Sequence, residues 1–250
     1  MPATTTITVP WTRIPVTDLQ RVVDSVPDSA HGSTLQADAL VIYATMLLHA
    51  SNDGETPVEA LDAWACLWGI SPERRDRAVQ HLLQFGIITW RGERYFLPAT
   101  IVGRNTSRGA IPDTEQRFVL LTLPSLAAAL LAKPGRSATR QAATYLAVMS
   151  HRTSQRNSVV ERGELAPFVG VTTRRLGDAL RLLENAEVVQ RTARYRAVRA
   201  DSGKKTTERA ANCYEPLVVA TISQAKRHGL AWACTRDFKA IALQSTQPAA

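Results

Sequence analysis

The sequence predicts a mainly helical α+β chain with small β-hairpins, in which one unit occurs twice by internal duplication. Three observations predict it. Apolar residues recur at helical spacing in several segments. Two of those segments are joined, twice, by a glycine, an apolar residue and a serine or threonine. Each such pair is followed by short strand-like stretches around a polar turn. The composition agrees. The chain has 250 residues, 45% hydrophobic and 21% charged, a globular rather than a disordered balance. Its length fits one large or two small domains.

Each copy opens on a short strand. The first runs from Ile7 to Ile14, followed by Pro15 and a helical pattern with Leu19, Val22, Val23 and Val26. The second runs from Phe118 to Leu123, followed by Pro124 and a pattern with Leu126, Ala129 and Leu130. Thr17 and Ser125 are placed to cap those helices. A polar spacer follows in each case, Pro27 to Ser33 and Lys133 to Ser137. Longer helices then place Leu40, Tyr43, Ala44 and Leu47 on one face, and Ala142, Tyr145, Leu146 and Met149 on another. Tyr43 and Tyr145 match.

The corner comes next. In the second copy Leu165, Ala166, Phe168 and Val169 lead to Gly170-Val171-Thr172, then Leu176, Ala179, Leu180 and Leu183. In the first, Trp64, Ala65, Leu67 and Trp68 lead to Gly69-Ile70-Ser71, then Ala78, Val79, Leu82 and Leu83. Glycine ends a helix by taking the left-handed conformation. The apolar residue plugs the corner. Ser71 and Thr172 or Thr173 cap the next helix, and Pro72 suits a first turn. Ile87 to Trp90 turns at Arg91-Gly92 into Tyr95 to Leu97. Val188 to Gln190 passes a longer polar stretch around Asp201-Ser202-Gly203 and returns near Asn212 to Tyr214.

Two helices meeting at such a corner, with a β-hairpin after the second, follow the helix-turn-helix grammar with a wing. Residues 161–191 resemble a winged-helix domain with GntR-like spacing, and residues 58–97 resemble a more divergent one. The expected organisation is an N-terminal winged-helix unit over 1–98 and a linker over 99–115. A C-terminal basic winged-helix unit over 116–214 follows, then a closing helical segment over 215–243 and a disordered tail over 244–250. Leu217, Val218, Ile222 and Ala225 give the closing segment its apolar stripe.

Charge separates the copies. The net is +8, with 30 Lys and Arg against 22 Asp and Glu. Residues 1–135 carry 11 basic and 13 acidic side chains, whereas residues 136–214 carry 15 basic and 7 acidic. A solvated basic surface aids solubility. An excess concentrated in one copy instead points to a polyanion, because Lys and Arg displace counterions condensed on phosphates.

The helix beginning near Thr173 sorts its residues. Leu176, Ala179, Leu180 and Leu183 form the core stripe. Arg174, Asp178, Arg181 and Asn185 fall opposite, with Arg175 beside them. Arginine pairs with guanine and asparagine with adenine in the major groove. The same face also suits an ion-pair ladder through Arg174, Asp178 and Arg181. Arg174 and Arg175 in a first turn oppose the helix dipole, which favours an anion in contact. The hairpin adds Arg191, Arg194, Arg196, Arg199, Lys204, Lys205 and Arg209 against Asp201 and Glu208. The expected DNA-contacting set is therefore Thr172, Thr173, Arg174, Arg175, Arg181, Asn185 and those seven hairpin cations. Arg74, Arg75 and Arg77 are secondary candidates, interleaved with Glu73 and Asp76. Trp64 and Trp68 are expected in the core.

Other chemistry finds no foothold. The five histidines do not cluster, and Cys66, Cys213 and Cys234 lack zinc-ligand spacing. Three scattered cysteines fit a reducing cytoplasm rather than a disulfide scaffold. There is no phosphate-binding loop, no dinucleotide fingerprint and no apolar run of the ~20 residues that a membrane span needs. No catalytic residue, metal or cofactor is expected, and no nucleophile has an evident base in sequence. The chain is expected to bind double-stranded DNA in the bacterial cytoplasm, associated with nucleoid or plasmid, and to be no enzyme. Two winged helices without an effector domain resemble replication initiators of plasmids and mobile elements. That resemblance implies origin binding, with a homodimer through the first copy. A transcriptional regulator and a tandem winged-helix subunit of a chromosome-organising complex are the alternatives.

Overall fold

A computed structural model of the chain describes residues 6–7, 11–27, 34–50, 54–97, 118–135, 137–151, 158–193, 195–199, 205–209, 212–216, 232–234 and 240–242. Unit one contains strand β2 (Trp11–Pro15), helices α1 (Val16–Ser25) and α2 (Leu35–His49), and β3 (Glu55–Pro57). It continues through α3 (Val58–Leu67), α4 (Pro72–Gln84), β4 (Thr89–Arg91) and β5 (Arg94–Phe96). Unit two repeats the order with β6 (Phe118–Thr122), α5 (Leu123–Leu131), α6 (Ala138–Ser150) and β7 (Ser158–Val160). Then come α7 (Arg162–Val169), α8 (Thr173–Asn185), β8 (Val189–Thr192) and β11 (Asn212–Pro216). Between its last two strands it carries an extra hairpin, β9 (Tyr195–Arg199) and β10 (Lys205–Arg209).

The sheets repeat as well. The order β3-β5-β4 in unit one matches β7-β11-β8 in unit two, antiparallel throughout. The opening strands β2 and β6 pair with each other, Arg13 opposite Leu120 at the centre, Trp11 opposite Thr122 and Pro15 opposite Phe118. Start therefore faces end in both directions, as in an isologous pairing.

Helices α2 and α6 are the centre of the molecule. Nearly every residue of each is buried, so they are enclosed all round rather than on one face. They pack on each other, α4 packs on α2, and α8 packs on α6. One continuous core cluster joins both units, with Tyr43 and Tyr145 among its largest buried side chains.

The corners form as the glycines require. Gly69 and Gly170 take φ values of +69° and +71°. Past them, Ile70 N–H donates to the Ala65 carbonyl and Val171 N–H to that of Ala166. This is the six-residue closure of a Schellman turn. Thr172 accepts from the Arg175 N–H at 3.3 Å, as its N-cap position demands. Ser71 holds the matching position without a side-chain cap bond to the backbone.

Some expectations are corrected. Thr17 lies inside α1, whose N-cap is Pro15, fixed by its ring at φ −59° and without a capping side chain. For α5 the cap is Thr122 rather than Ser125. Thr122 is extended, which aims its hydroxyl at the Ser125 N–H, and Ser125 returns the bond. The strand read over Ile7 to Ile14 is two strands, β1 (Thr6–Ile7) and β2. The described parts of the expected closing helix are strands too, namely the end of β11, β12 (Trp232–Cys234) and β13 (Ala240–Ala242). β13 pairs with β1 on one side and β12 on the other. Leu217, Val218, Ile222 and Ala225, the linker and the tail lie outside the described residues. Trp64 and Trp68 stack at 5.0 Å, with Trp68 buried and Trp64 half-buried, which is the expected core role. Among the described residues no helix is long and apolar enough to cross a membrane.

Candidate nucleic-acid interface

Helix α8 is positioned by its apolar stripe. Leu176, Ala179, Leu180 and Leu183 are all buried, which turns Arg174, Asp178, Arg181 and Asn185 outward. Thr172, Thr173 and Arg175 are exposed at its first turn. Arg181 lies 3.5 Å from Asp178, and both side chains are well over half exposed, so this pair contributes only tenths of a kcal/mol. Among the described residues no carboxylate lies within salt-bridge distance of Arg174. Four polar side chains capable of hydrogen bonding thus stand along one accessible face.

The hairpin beyond α8 divides into described and undescribed parts. Arg191 pairs with Glu184 at 2.9 Å, which anchors the base of the hairpin to α8. The backbones of β9 and β10 place Arg196 opposite Glu208, Arg199 opposite Lys205 and Arg209 opposite Tyr195. Arg194 and Lys204 lie outside the described residues.

Helix α4 holds the same place in unit one, and its arginines are engaged differently. Arg74 is drawn inward to Asp38 of α2, which is 1% exposed. Arg74 Nε donates to Asp38 Oδ2 at 2.9 Å, and its Nη2 to Oδ1 of the same carboxylate. Thr139 of α6 closes the network, donating to Asp38 Oδ1 at 2.7 Å and accepting from Arg74 Nη2 at 2.9 Å. A buried carboxylate needs such a partner, and the network ties α4 and α2 of unit one to α6 of unit two. Arg75 pairs with Asp62 and Asp76 at 2.6 and 2.7 Å. Arg74 therefore leaves the list of secondary candidates, Arg75 is held by carboxylates, and Arg77 stays exposed.

The first turn of α4 also carries the opposite sign. Glu73 stands where α8 has Arg174. A hydrogen bond from the Ser71 side chain, then one from its own backbone N–H, hold its carboxyl below the ordinary carboxylate range. An ionised carboxylate there suits the helix dipole and repels phosphate.

Three features escaped sequence reading. Asp38 is the sole charge in the apolar run from Leu35 to Leu48, and a lone charge on a buried helix is a signal that a partner exists. Gln36 donates from Nε2 to the carbonyls of Pro167 and Phe168 at 2.8 and 2.9 Å, filling the last acceptors of α7 from the other unit. Ser25 and His81 meet at 2.9 Å in the core. The Ser25 hydroxyl proton is directed to the Val22 carbonyl at 2.7 Å, so His81 Nε2 donates to Ser25. Burial lowers the His81 pKa and keeps the ring neutral. This pair ties α1 to α4, and in this arrangement His81 does not act as a base toward Ser25. Among the described residues no three His, Cys, Asp or Glu side chains gather as a metal site. No protein-family model, no curated protein and no solved structure matches the chain.

Proposed function

We propose that the chain is a sequence-specific double-stranded DNA-binding protein of two tandem winged-helix units, most specifically a replication-initiator-like protein of a plasmid or mobile element. The observation that carries the DNA reading is the contrast between α4 and α8. At equivalent corners, unit two exposes Arg174, Arg175, Arg181 and Asn185, while unit one draws Arg74 into a buried pair. In this reading α8 enters the major groove with Arg181 and Asn185 reading base edges. Thr172, Thr173, Arg174 and the hairpin cations hold phosphates. The initiator assignment rests on analogy, since two such units share one core.

Unit one has a second role in this account, as a surface for a partner or a second copy. Phe85 and Trp90 are each 48% exposed there, an unusual exposure for large rings, and Trp90 packs against Tyr95 at 4.8 Å.

The test is selection from a pool of random DNA duplexes. The wild-type protein is expected to enrich a recurring motif, and Arg181→Ala to relax one position of it. Selection that enriches no motif overturns the reading. Repeats of the motif beside a replication origin support an initiator. A single operator near a promoter replaces that assignment with a transcriptional regulator.

A further inference from the structure

We propose that Arg140, at the start of α6, is a phosphodiester contact placed at the junction of the two units, where it grips the backbone of the duplex that α8 reads. The inference rests on the DNA-binding function proposed above and adds a residue that lies on neither the reading helix nor its hairpin.

Matching Tyr43 with Tyr145 sets Arg140 where unit one has Asp38. In unit one that position is an anion, and it neutralises the arginine of the helix packed beside it. In unit two it is a cation beside another cation. Arg175 is the counterpart of Arg74, and its charge bears on Arg140 where that of Asp38 bears on Arg74. Arg74 reaches the same place from the other side, since its Nη2 is bonded to Thr139, the residue before Arg140.

Arg140 is half-buried, and among the described residues no carboxylate lies within salt-bridge distance of it. Burial, then the charges of Arg175 and Arg74, pull its guanidinium below the usual arginine value, opposed in part by Asp178. A partly desolvated cation set against two others destabilises the fold. An incoming anion reverses that cost. A phosphodiester suits the place because it offers oxygens spaced for a guanidinium fork and brings one negative charge.

Nucleic acid is the source favoured over a small free anion. Arg175 belongs to the same helix as the exposed Arg174, Arg181 and Asn185, so a duplex lying along that helix already brings its backbone near Arg140. The contact would also fix the duplex relative to the Asp38–Arg74–Thr139 network, and hence to both units together.

The test compares Arg140→Gln and Arg140→Lys with the wild type in binding a random-sequence DNA duplex over a salt series, alongside thermal melting. Arg140→Gln is expected to melt at the same or a higher temperature, since a repulsion is removed. It is expected to bind duplex several-fold more weakly at every sequence, with a salt slope shallower by about 0.9, the loss of one phosphate contact. Arg140→Lys, which keeps the charge, is expected to keep the slope. Unchanged affinity and slope in Arg140→Gln, while Arg174→Ala and Arg181→Ala are weakened, overturns this inference and leaves the DNA reading standing. A weakening matched by a lower melting temperature also overturns it, since that marks a structural role. Duplex binding that is absent in the wild type overturns the DNA reading itself, and this inference with it.

Discussion

Helices α4 and α8 sit at the same corner of unit one and unit two and use arginine in opposite ways. In α4, Arg74 turns back to a buried aspartate and Arg75 to two half-exposed ones, while Glu73 puts a negative charge at the helix start. In α8 the start carries Arg174 and Arg175, and the neighbouring position on the central helix carries Arg140 in place of Asp38. The difference teaches that a basic helix is not by itself a nucleic-acid surface. What decides is whether the helix behind it supplies the counter-charge. Where α2 supplies it, arginine becomes a strut. Where α6 carries Arg140 in that place, the charge behind the helix is positive.

The largest way to break this comparison is to remove the strut. Asp38→Ala leaves Arg74 partly buried without its carboxylate and is expected to cost about 3–5 kcal/mol of folding stability. Urea denaturation measures it. A loss within a few tenths of a kcal/mol would mean that Arg74 finds water instead, and the two helices would then be equivalent.

Helix α8 gives the next largest effect. Arg181→Ala and Arg174→Ala are each expected to weaken duplex binding by about 1–3 kcal/mol, whereas Arg77→Ala in α4 leaves it unchanged. Fluorescence anisotropy at one fixed salt concentration checks this. Equal losses at Arg77 and Arg181 would erase the distinction between units.

The two corner glycines sharpen it further. Both take positive φ, so alanine is strained at either, by about 1–2 kcal/mol. A Cβ at Gly69 meets no atom within 4 Å, whereas one at Gly170 falls 2.5 Å from Gln36 Oε1. Gly170→Ala is therefore expected to destabilise more than Gly69→Ala, and to loosen the Gln36 bonds to α7. Melting temperatures of the pair decide it.

A smaller effect comes from the ends of the same two helices. Gly86 and Glu187 close α4 and α8 with φ of 62° and 58°. Glu187 is the residue that pays a steric penalty, so Glu187→Gly is expected to raise stability by about 1 kcal/mol. The smallest is acid sensitivity. Burial lowers the pKa of His49 and His81, both in unit one, from an ordinary 6.5. The unfolded chain then binds protons more readily than the folded one. The stability these rings contribute is present above pH 6.5 and falls as the pH drops through that value toward the lower folded ones. His81→Gln should flatten that fall in a pH series of melting temperatures.

Much of this was legible from residue order alone. The stripe of Leu176, Ala179, Leu180 and Leu183 gives the orientation of α8 because helical spacing admits one buried face. Gly69 and Gly170 mark the corners because few other residues tolerate left-handed backbone. The partners of Arg74 were not legible, because Asp38 and Thr139 lie on other helices and only packing brings them together. The same holds for Gln36 and α7, and for β1, whose partner β13 comes from the other end of the chain. The cap of α5 depended on the extended backbone at Thr122, which spacing does not specify. Arg140 is not legible as a site from residue order, because its meaning comes from what stands at Asp38.

In the proposed function unit two, through α8, grips a DNA duplex and unit one does not. The most direct measurement is the salt dependence of duplex binding for the wild type, for Arg174→Glu/Arg181→Glu and for Arg77→Glu. The wild type and Arg77→Glu are predicted to lose affinity steeply and in parallel as salt rises, with a slope of about −0.9 for each phosphate held. The α8 double variant is predicted to bind weakly with a shallower slope. Parallel slopes and equal affinities in all three proteins would contradict the claim.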